Sequence, residues 1–357
     1  MPFKIIKVFL INILVFFTLI LIIELFIFTF LNKTNLDCAY LLCGKKFEYK
    51  IINFDNNKNY KVVYKRDKYG FRDRHKELEN IDVLVLGGST TDERWLKDED
   101  TWINQLEEKL KIYHKKDIDI VNSGIDGQST FGHIWNFNNW YNKLNSFSPK
   151  YLIFYIGIND QLYLSPEEIK KKRKNYDNPR DSSNLNLFMK IKNILRKNNG
   201  IVYRGYTLLS DLISKNKDYF EVGHSPKREK MNYKIPSKKF LININSKKNF
   251  LDNLNMLYKY TIEIDAIPIF ITQKTMRGNK ISNKIVSISE FDYFSYEKRI
   301  SNMIIDYCND KEILCINVNE LLDLTTNDTY DRVHLVPSGS KKLSVLLFDK
   351  LKYELKF

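Results

Sequence analysis

Apolar residues along this chain fall into two patterns. The first is one long run near the N-terminus, from Val8 to Leu31, interrupted only by Asn12, Thr18, Glu24 and Thr29. A helix rises about 1.5 Å per residue, so this run reaches across a hydrocarbon core of roughly 30 Å. It is longer than the core of a cleaved signal peptide, and no A-x-A-like site follows Leu31. The pattern therefore predicts an uncleaved transmembrane anchor over 8–31 after a short basic tail, 1–7. Lys4 and Lys7 precede the helix, while Lys33, Lys45, Lys46 and Lys50 follow it, so charge gives only a weak vote on orientation. An N-terminal anchor ahead of a large domain usually exports that domain, and an extracytoplasmic position is the expectation. Glu24 is expected to reach toward an interface rather than sit in lipid.

The second pattern begins near residue 80. Short, continuous, β-branched runs at Ile81–Leu86, Ile118–Val121, Tyr151–Ile156, Ile267–Thr272 and Ile313–Val318 read as strands buried on both faces of a parallel sheet. Between them, apolar residues recur at helical spacing: Trp102, Leu106 and Leu110; then Ile134, Phe137 and Tyr141. Further helices are expected around Phe250–Ile262, around Tyr296–Tyr307 and over Pro337–Leu351, where proline suits a first turn. Alternating strands and helices predict an α/β fold, a three-layer α/β/α sandwich on a central parallel sheet of about five strands. Residues 32–79 read as a polar, irregular juxtamembrane stalk leading to one domain over 80–357. Residues 165–245 form a Lys-, Asn- and Ser-rich insertion too long for a simple connection. It leaves the sheet just after the third strand and is expected to border any site there.

Composition changes this picture little. The 357 residues are 43% hydrophobic and carry a formal charge of +14. Lys is spread along the whole chain and no nucleic-acid recognition motif accompanies it, so no nucleic-acid partner is expected. The cysteines, Cys38, Cys43, Cys308 and Cys315, fit no zinc spacing. They allow either two local disulfides, Cys38–Cys43 and Cys308–Cys315, or four free thiols.

Chemistry concentrates in four blocks, three of them directly after a predicted strand and the fourth just before the last helix. Open α/β sheets bind ligands at the carboxyl ends of their strands. Gly87-Gly88-Ser89-Thr90-Thr91 is a sharp turn that exposes a serine. It is neither a G-x-S-x-G elbow nor a phosphate-binding Gly-Lys-Ser/Thr loop. Asn122–Gly127 ends in a glycine able to offer an unobstructed backbone N–H. Gly157-Ile158-Asn159-Asp160 supplies an amide side chain. In Asp331-Arg332-Val333-His334, a carboxylate three residues before an imidazole can orient it. Each block alone is also what an ordinary turn or helix cap looks like.

In this order, the four blocks resemble the SGNH or GDSL-like hydrolase family. The third and fourth match its Gly-x-Asn-Asp and Asp-x-x-His patterns in full, and the first departs from Gly-Asp-Ser at Gly88. The resemblance covers roughly residues 80–350. With the anchor and the segment Tyr69-Gly70-Phe71-Arg72, the chain is also similar to membrane-anchored members from bacterial surface-polysaccharide gene sets. The resemblance implies a flavodoxin-like strand order and a serine esterase. Ser89 would be the nucleophile, His334 the base and Asp331 its orienting partner. The backbone N–H groups of Ser89 and Gly127 and the amide of Asn159 would form the oxyanion hole. It implies neither a cofactor nor a metal. The expected substrate is an acylated small molecule or carbohydrate, with an O-acetylated surface glycan as the natural class. Arg94, Trp95, Trp135 and Trp140 are candidates for sugar contact or, for the aromatics, for core packing. Two other readings remain: an O-acyltransferase using the same residues, and a non-catalytic, anchored carbohydrate-binding protein.

Overall fold

The computed structural model describes residues 2–31, 36–55, 58–72, 78–173, 220–225 and 227–357. The chain divides into two compact units, Met1–Leu41 with Asp181–Asp218, and Leu42–Arg180 with Tyr219–Phe357. The first unit contains helix α1, Pro2–Leu31, and the one-turn helix α2, Cys38–Leu41. Where described, the apolar side chains of α1 are exposed, except for the half-buried Ile20. Among the described residues, no helix is long and apolar enough to cross a membrane. The anchor expected over 8–31 falls partly on side chains outside the described set, those of Leu21 and of residues 24–31.

The second unit is built on five parallel strands: β3 (Val83–Gly87), β4 (Ile120–Asn122), β5 (Tyr151–Ile156), β7 (Ile267–Thr272) and β10 (Leu314–Ile316). Their order across the sheet is β10-β7-β5-β3-β4. The chain thus starts one strand in from an edge, steps outward to β4, then reverses through β5 and β7 to β10 at the other edge. The reversal lies between β3 and β5, where ligand crevices form in such sheets.

Successive side chains point to opposite faces of a strand. Val83 and Val85 join Ile153, Ile269 and Ile271 in a core against helices α4 (Trp102–His114) and α10 (Pro337–Leu351). Leu84, Leu86, Phe154 and Phe270 are buried on the other face. That side carries α5 (Thr130–Asn139), α7 (Ile244–Glu263) and α8 (Tyr293–Lys311). The runs are continuous in the sequence because both faces are covered, which is the α/β fold expected. The disulfide Cys308–Cys315 ties the end of α8 to β10, with Cα atoms 6.1 Å apart.

One sequence expectation is corrected. Part of the segment read as an irregular stalk forms a hairpin, β1 (Lys46–Asp55) and β2 (Lys58–Lys65). Apolar and polar residues alternate there, so one face is apolar. Tyr49 pairs with Val62 and Ile51 with Tyr60 across it. The other edge of β1 pairs in parallel with β6 (Phe220–His224), a strand within the insertion. Residues 174–219 and 226 of that insertion lie outside the described residues. On the hairpin, Tyr49, Ile51, Val62 and Tyr64 form a second small core with Tyr330 and Val336. A further hairpin, β8 (Gly278–Ile281) with β9 (Lys284–Ser287), follows β7.

Candidate active site

The chain leaves β3 through Gly88 and turns at once into the one-turn helix α3, Ser89–Asp92. Ser89 is therefore lifted to the rim of the sheet, half-buried, at the start of a helical turn. The turn works only without a side chain at 88. A Cβ there would come within 2.6 Å of the Asn159 amide nitrogen and 3.2 Å of the Gln128 carbonyl oxygen.

Across the rim, Asp331–His334 is a tight loop before α10. One carboxylate oxygen of Asp331, Oδ1, accepts hydrogen bonds from the backbone N–H groups of Val333 and His334, each at 2.7 Å. Its other oxygen, Oδ2, lies 2.7 Å from His334 Nδ1. His334 Nε2 lies 2.7 Å from Ser89 Oγ. Burial alone would raise the Asp331 carboxyl. The hydrogen bond and charge of His334, with the two backbone N–H groups, outweigh it and hold the group below its ordinary range. It therefore stays ionised where imidazole titrates. The ring of Tyr330 lies nearly parallel to that of His334, with centroids 5.4 Å apart. The loop is also tied from outside, because Arg332 pairs with Glu229 at 3.0 Å.

The other two blocks meet beside Ser89. Asn159 Nδ2 donates to the Gln128 carbonyl at 2.8 Å, which joins the third block to the second and leaves the amide's other hydrogen free to donate. Gly127, just before Gln128, has φ of +75°, a left-handed conformation suited to glycine. Among the described residues, neither the Ser89 nor the Gly127 backbone N–H is taken by a hydrogen bond. Ser89, His334 and Asp331 are thus one hydrogen-bonded chain, with Asn159 held next to it. A water-sized cavity lies between Ser89, Glu93, Trp95, Tyr330 and His334.

Several important residues carried no sequence signal. Asp92, the last residue of α3, is buried with Arg66: Arg66 Nη2 lies 2.8 Å from Asp92 Oδ1 and donates to the Gly124 carbonyl at 2.6 Å. Tyr64 donates its hydroxyl to the same Asp92 oxygen at 2.7 Å. Burial would raise the Asp92 carboxyl, but Arg66, Arg94 and Arg72 overcome it and keep it ionised. Arg66 thereby joins the nucleophile turn to the second block. The Tyr69–Arg72 segment belongs to the same scaffold. Arg72 donates to the carbonyls of Asp92 and of Leu96, the latter at 2.8 Å, and Phe71 stacks on Trp140.

The proposed sugar contacts divide. Trp140 is fully buried and donates to the Tyr69 carbonyl, which makes it core. Trp135 is half-buried on α5. Trp95 borders the cavity beside Ser89 and meets Tyr49 edge-on at 4.5 Å. Arg94 reaches Asp92 at 3.4 Å and the exposed Asp126 at 3.7 Å. Among the described residues, no group of three or more His, Cys, Asp and Glu side chains is poised to hold a metal ion.

No protein-family model matches the chain, and no curated protein matches it. Several solved structures are similar. A catalytic mutant of an acetylxylan esterase from Geobacillus stearothermophilus is 13% identical, covers 75% of this chain and 93% of its own, and has a TM-score of 0.42. A GDSL-like lipase from Bacteroides thetaiotaomicron is 12% identical, covering 79% and 93%, with a TM-score of 0.39. An acetyl xylan esterase is 13% identical, covering 75% and 99%, with a TM-score of 0.43.

Proposed function

We propose that this protein is a serine ester hydrolase that removes a short acyl group from an acylated carbohydrate. The observation that carries the reading is the unbroken chain Ser89 Oγ, His334 Nε2, His334 Nδ1, Asp331 Oδ2, with both contacts at 2.7 Å. A serine hydroxyl is a poor nucleophile until a base takes its proton. His334 Nε2 receives that proton as Oγ attacks the ester carbonyl, and Asp331 stabilises the resulting imidazolium. The N–H groups of Ser89 and Gly127 and the Asn159 amide donate to the oxyanion. His334 returns the proton to the leaving alkoxide. A water then gives its proton to Nε2 while its oxygen attacks the acyl carbon, and Ser89 leaves with the proton restored.

The cavity beside Ser89 has no room for a long acyl chain, which favours the shortest acyl groups as substrate. Trp95, Arg94 and Asp126 at the rim supply the aromatic edge and the charged hydrogen-bonding pair that a carbohydrate leaving group uses. The same reading keeps the apolar segment 8–31 as a membrane anchor and the catalytic unit outside the cytoplasm. A reporter fused after Phe357 that works only in the cytoplasm would overturn that orientation.

The activity is tested on the full chain in detergent micelles with a fluorophosphonate probe and p-nitrophenyl esters from acetyl to butyryl. Labelling of Ser89 and hydrolysis that falls with acyl length are expected, and both should vanish in Ser89→Ala. Full turnover by folded Ser89→Ala would refute the assignment. Adding oligosaccharide acceptors separates hydrolysis from transfer, because a transferase places the acyl group on a sugar hydroxyl instead of water.

A further inference from the structure

We propose that Gln273 is a positioning residue that sets the separation between the nucleophile turn and the Asn159 oxyanion donor. The proposal rests on the hydrolase reading above. Gln273 is the first residue after β7 and is only 4% exposed. Its carboxamide uses both ends. Nε2 donates to Thr90 Oγ1 at 2.9 Å, and Oε1 accepts the Ile158 backbone N–H at 2.9 Å. Thr90 directly follows Ser89, and Ile158 directly precedes Asn159. The main chain of Gln273 is fixed as well, since Asn319 Nδ2 donates to its carbonyl at 3.2 Å.

The sheet order explains why a side chain has to do this. β5 lies between β7 and β3, so the main chain after β7 is not adjacent to the turn after β3. Neighbouring strands are about 4.8 Å apart, and a glutamine is long enough to pass over the end of β5. It also presents a donor and an acceptor in one rigid plane. The two elements it joins are already in close approach, because Asn159 Nδ2 packs where a Gly88 side chain would be. Oxyanion donors act only when held about 2.7–3.1 Å from the developing charge. A displacement of about 1 Å costs on the order of 100-fold in rate. Gln273 touches no reacting atom, and its effect runs through Asn159.

The test is a coupling cycle on the full chain with p-nitrophenyl acetate. Gln273→Met preserves volume and removes both hydrogen bonds, while Thr90→Val cuts only the nucleophile end. Each should lower kcat by roughly 10- to 100-fold, with KM changed much less. In an Asn159→Ala background, each loss should shrink to within about threefold, because the donor being positioned is gone. The proposal is overturned if kcat is unchanged in a folded single variant, or if the full loss persists in the Asn159→Ala background. Should Gln273→Met not fold, Thr90→Val decides. Ser89→Ala run beside the cycle keeps the two claims apart: retained turnover there refutes the hydrolase reading itself, whatever Gln273 does.

Discussion

Glu93 should make the protein less stable as pH rises through neutrality. Its side chain is 6% exposed, with Oε2 accepting from the Trp102 backbone N–H at 2.9 Å and from Ser340 Oγ at 3.4 Å. Among the described residues, its other oxygen, Oε1, has no hydrogen-bond partner. Burial pushes the carboxyl up to about 8 from an ordinary 4.5, against the lowering effects of the Trp102 N–H, the Arg72 charge and the Ser340 hydroxyl. The sign follows from proton binding. Below pH 4.5 the group is neutral in both folded and unfolded chains. Between 4.5 and about 8 the unfolded chain releases the proton while the folded one keeps it, so stability falls with pH. Above about 8 the loss is complete. At about 1.4 kcal/mol per pH unit, the full penalty is on the order of 5 kcal/mol, with about 3 kcal/mol present at pH 7. Glu93→Gln keeps the volume and an acceptor for Trp102 but cannot ionise. Its new amide hydrogens carry a cost of about 1–3 kcal/mol that does not vary with pH. The informative quantity is therefore the difference in unfolding free energy between variant and wild type, measured by denaturant titration from pH 4.5 to 9. That difference should move in favour of Gln by several kcal/mol across the range and level off above pH 8. A difference that stays flat would mean that Glu93 is ionised in the folded protein and that the burial argument is wrong.

Three further outcomes are expected. Asn159→Ala should reduce kcat by about 100- to 1,000-fold with KM little altered, as the loss of one oxyanion donor does, measured by steady-state ester hydrolysis. Asp331→Asn should lower kcat by on the order of 10,000-fold. Oδ1 accepts two backbone N–H groups, so the amide oxygen must take that place and the amide NH2 then faces Nδ1, which forces the tautomer unable to accept the serine proton. Arg66→Ala should destabilise the fold by about 3–5 kcal/mol in denaturant titration, because it breaks a buried ion pair with Asp92 and removes the donor to the Gly124 carbonyl.

The parallel sheet was legible because burial on both faces writes continuous apolar runs. Tyr151–Ile156 and Ile267–Thr272 match their strands end to end, and α10 starts at the proline that the sequence marks. The candidate site was legible where chemistry is local. Asp331 and His334 are three residues apart, so their bond is written in one loop. Gln273 had no such signature. It meets Thr90 across 183 residues, and a lone glutamine after a strand has no spacing to betray it. Glu93 and Asp92 were hidden in the same way, since their partners arrive from α4, α10 and β2. The β1–β2 hairpin is a different case. The alternation Phe47, Tyr49, Ile51 and Tyr60, Val62, Tyr64 was present, but the intervening lysines and asparagines made the segment look like a linker.

That hairpin limits how the protein can be shortened for biochemistry. β1 is the middle strand of the accessory sheet, flanked by β2 and β6. A recombinant chain beginning near residue 60, the natural choice if 32–79 were a tether, would lose β1 entirely. It would bare Val62, Tyr64 and Tyr330, and leave β6 with an unpaired backbone edge. Exposed strand edges beside apolar surface recruit other chains. Such a truncation should give inclusion bodies or soluble aggregates, and its inactivity would say nothing about Ser89. A cut ahead of Lys46 keeps the hairpin whole.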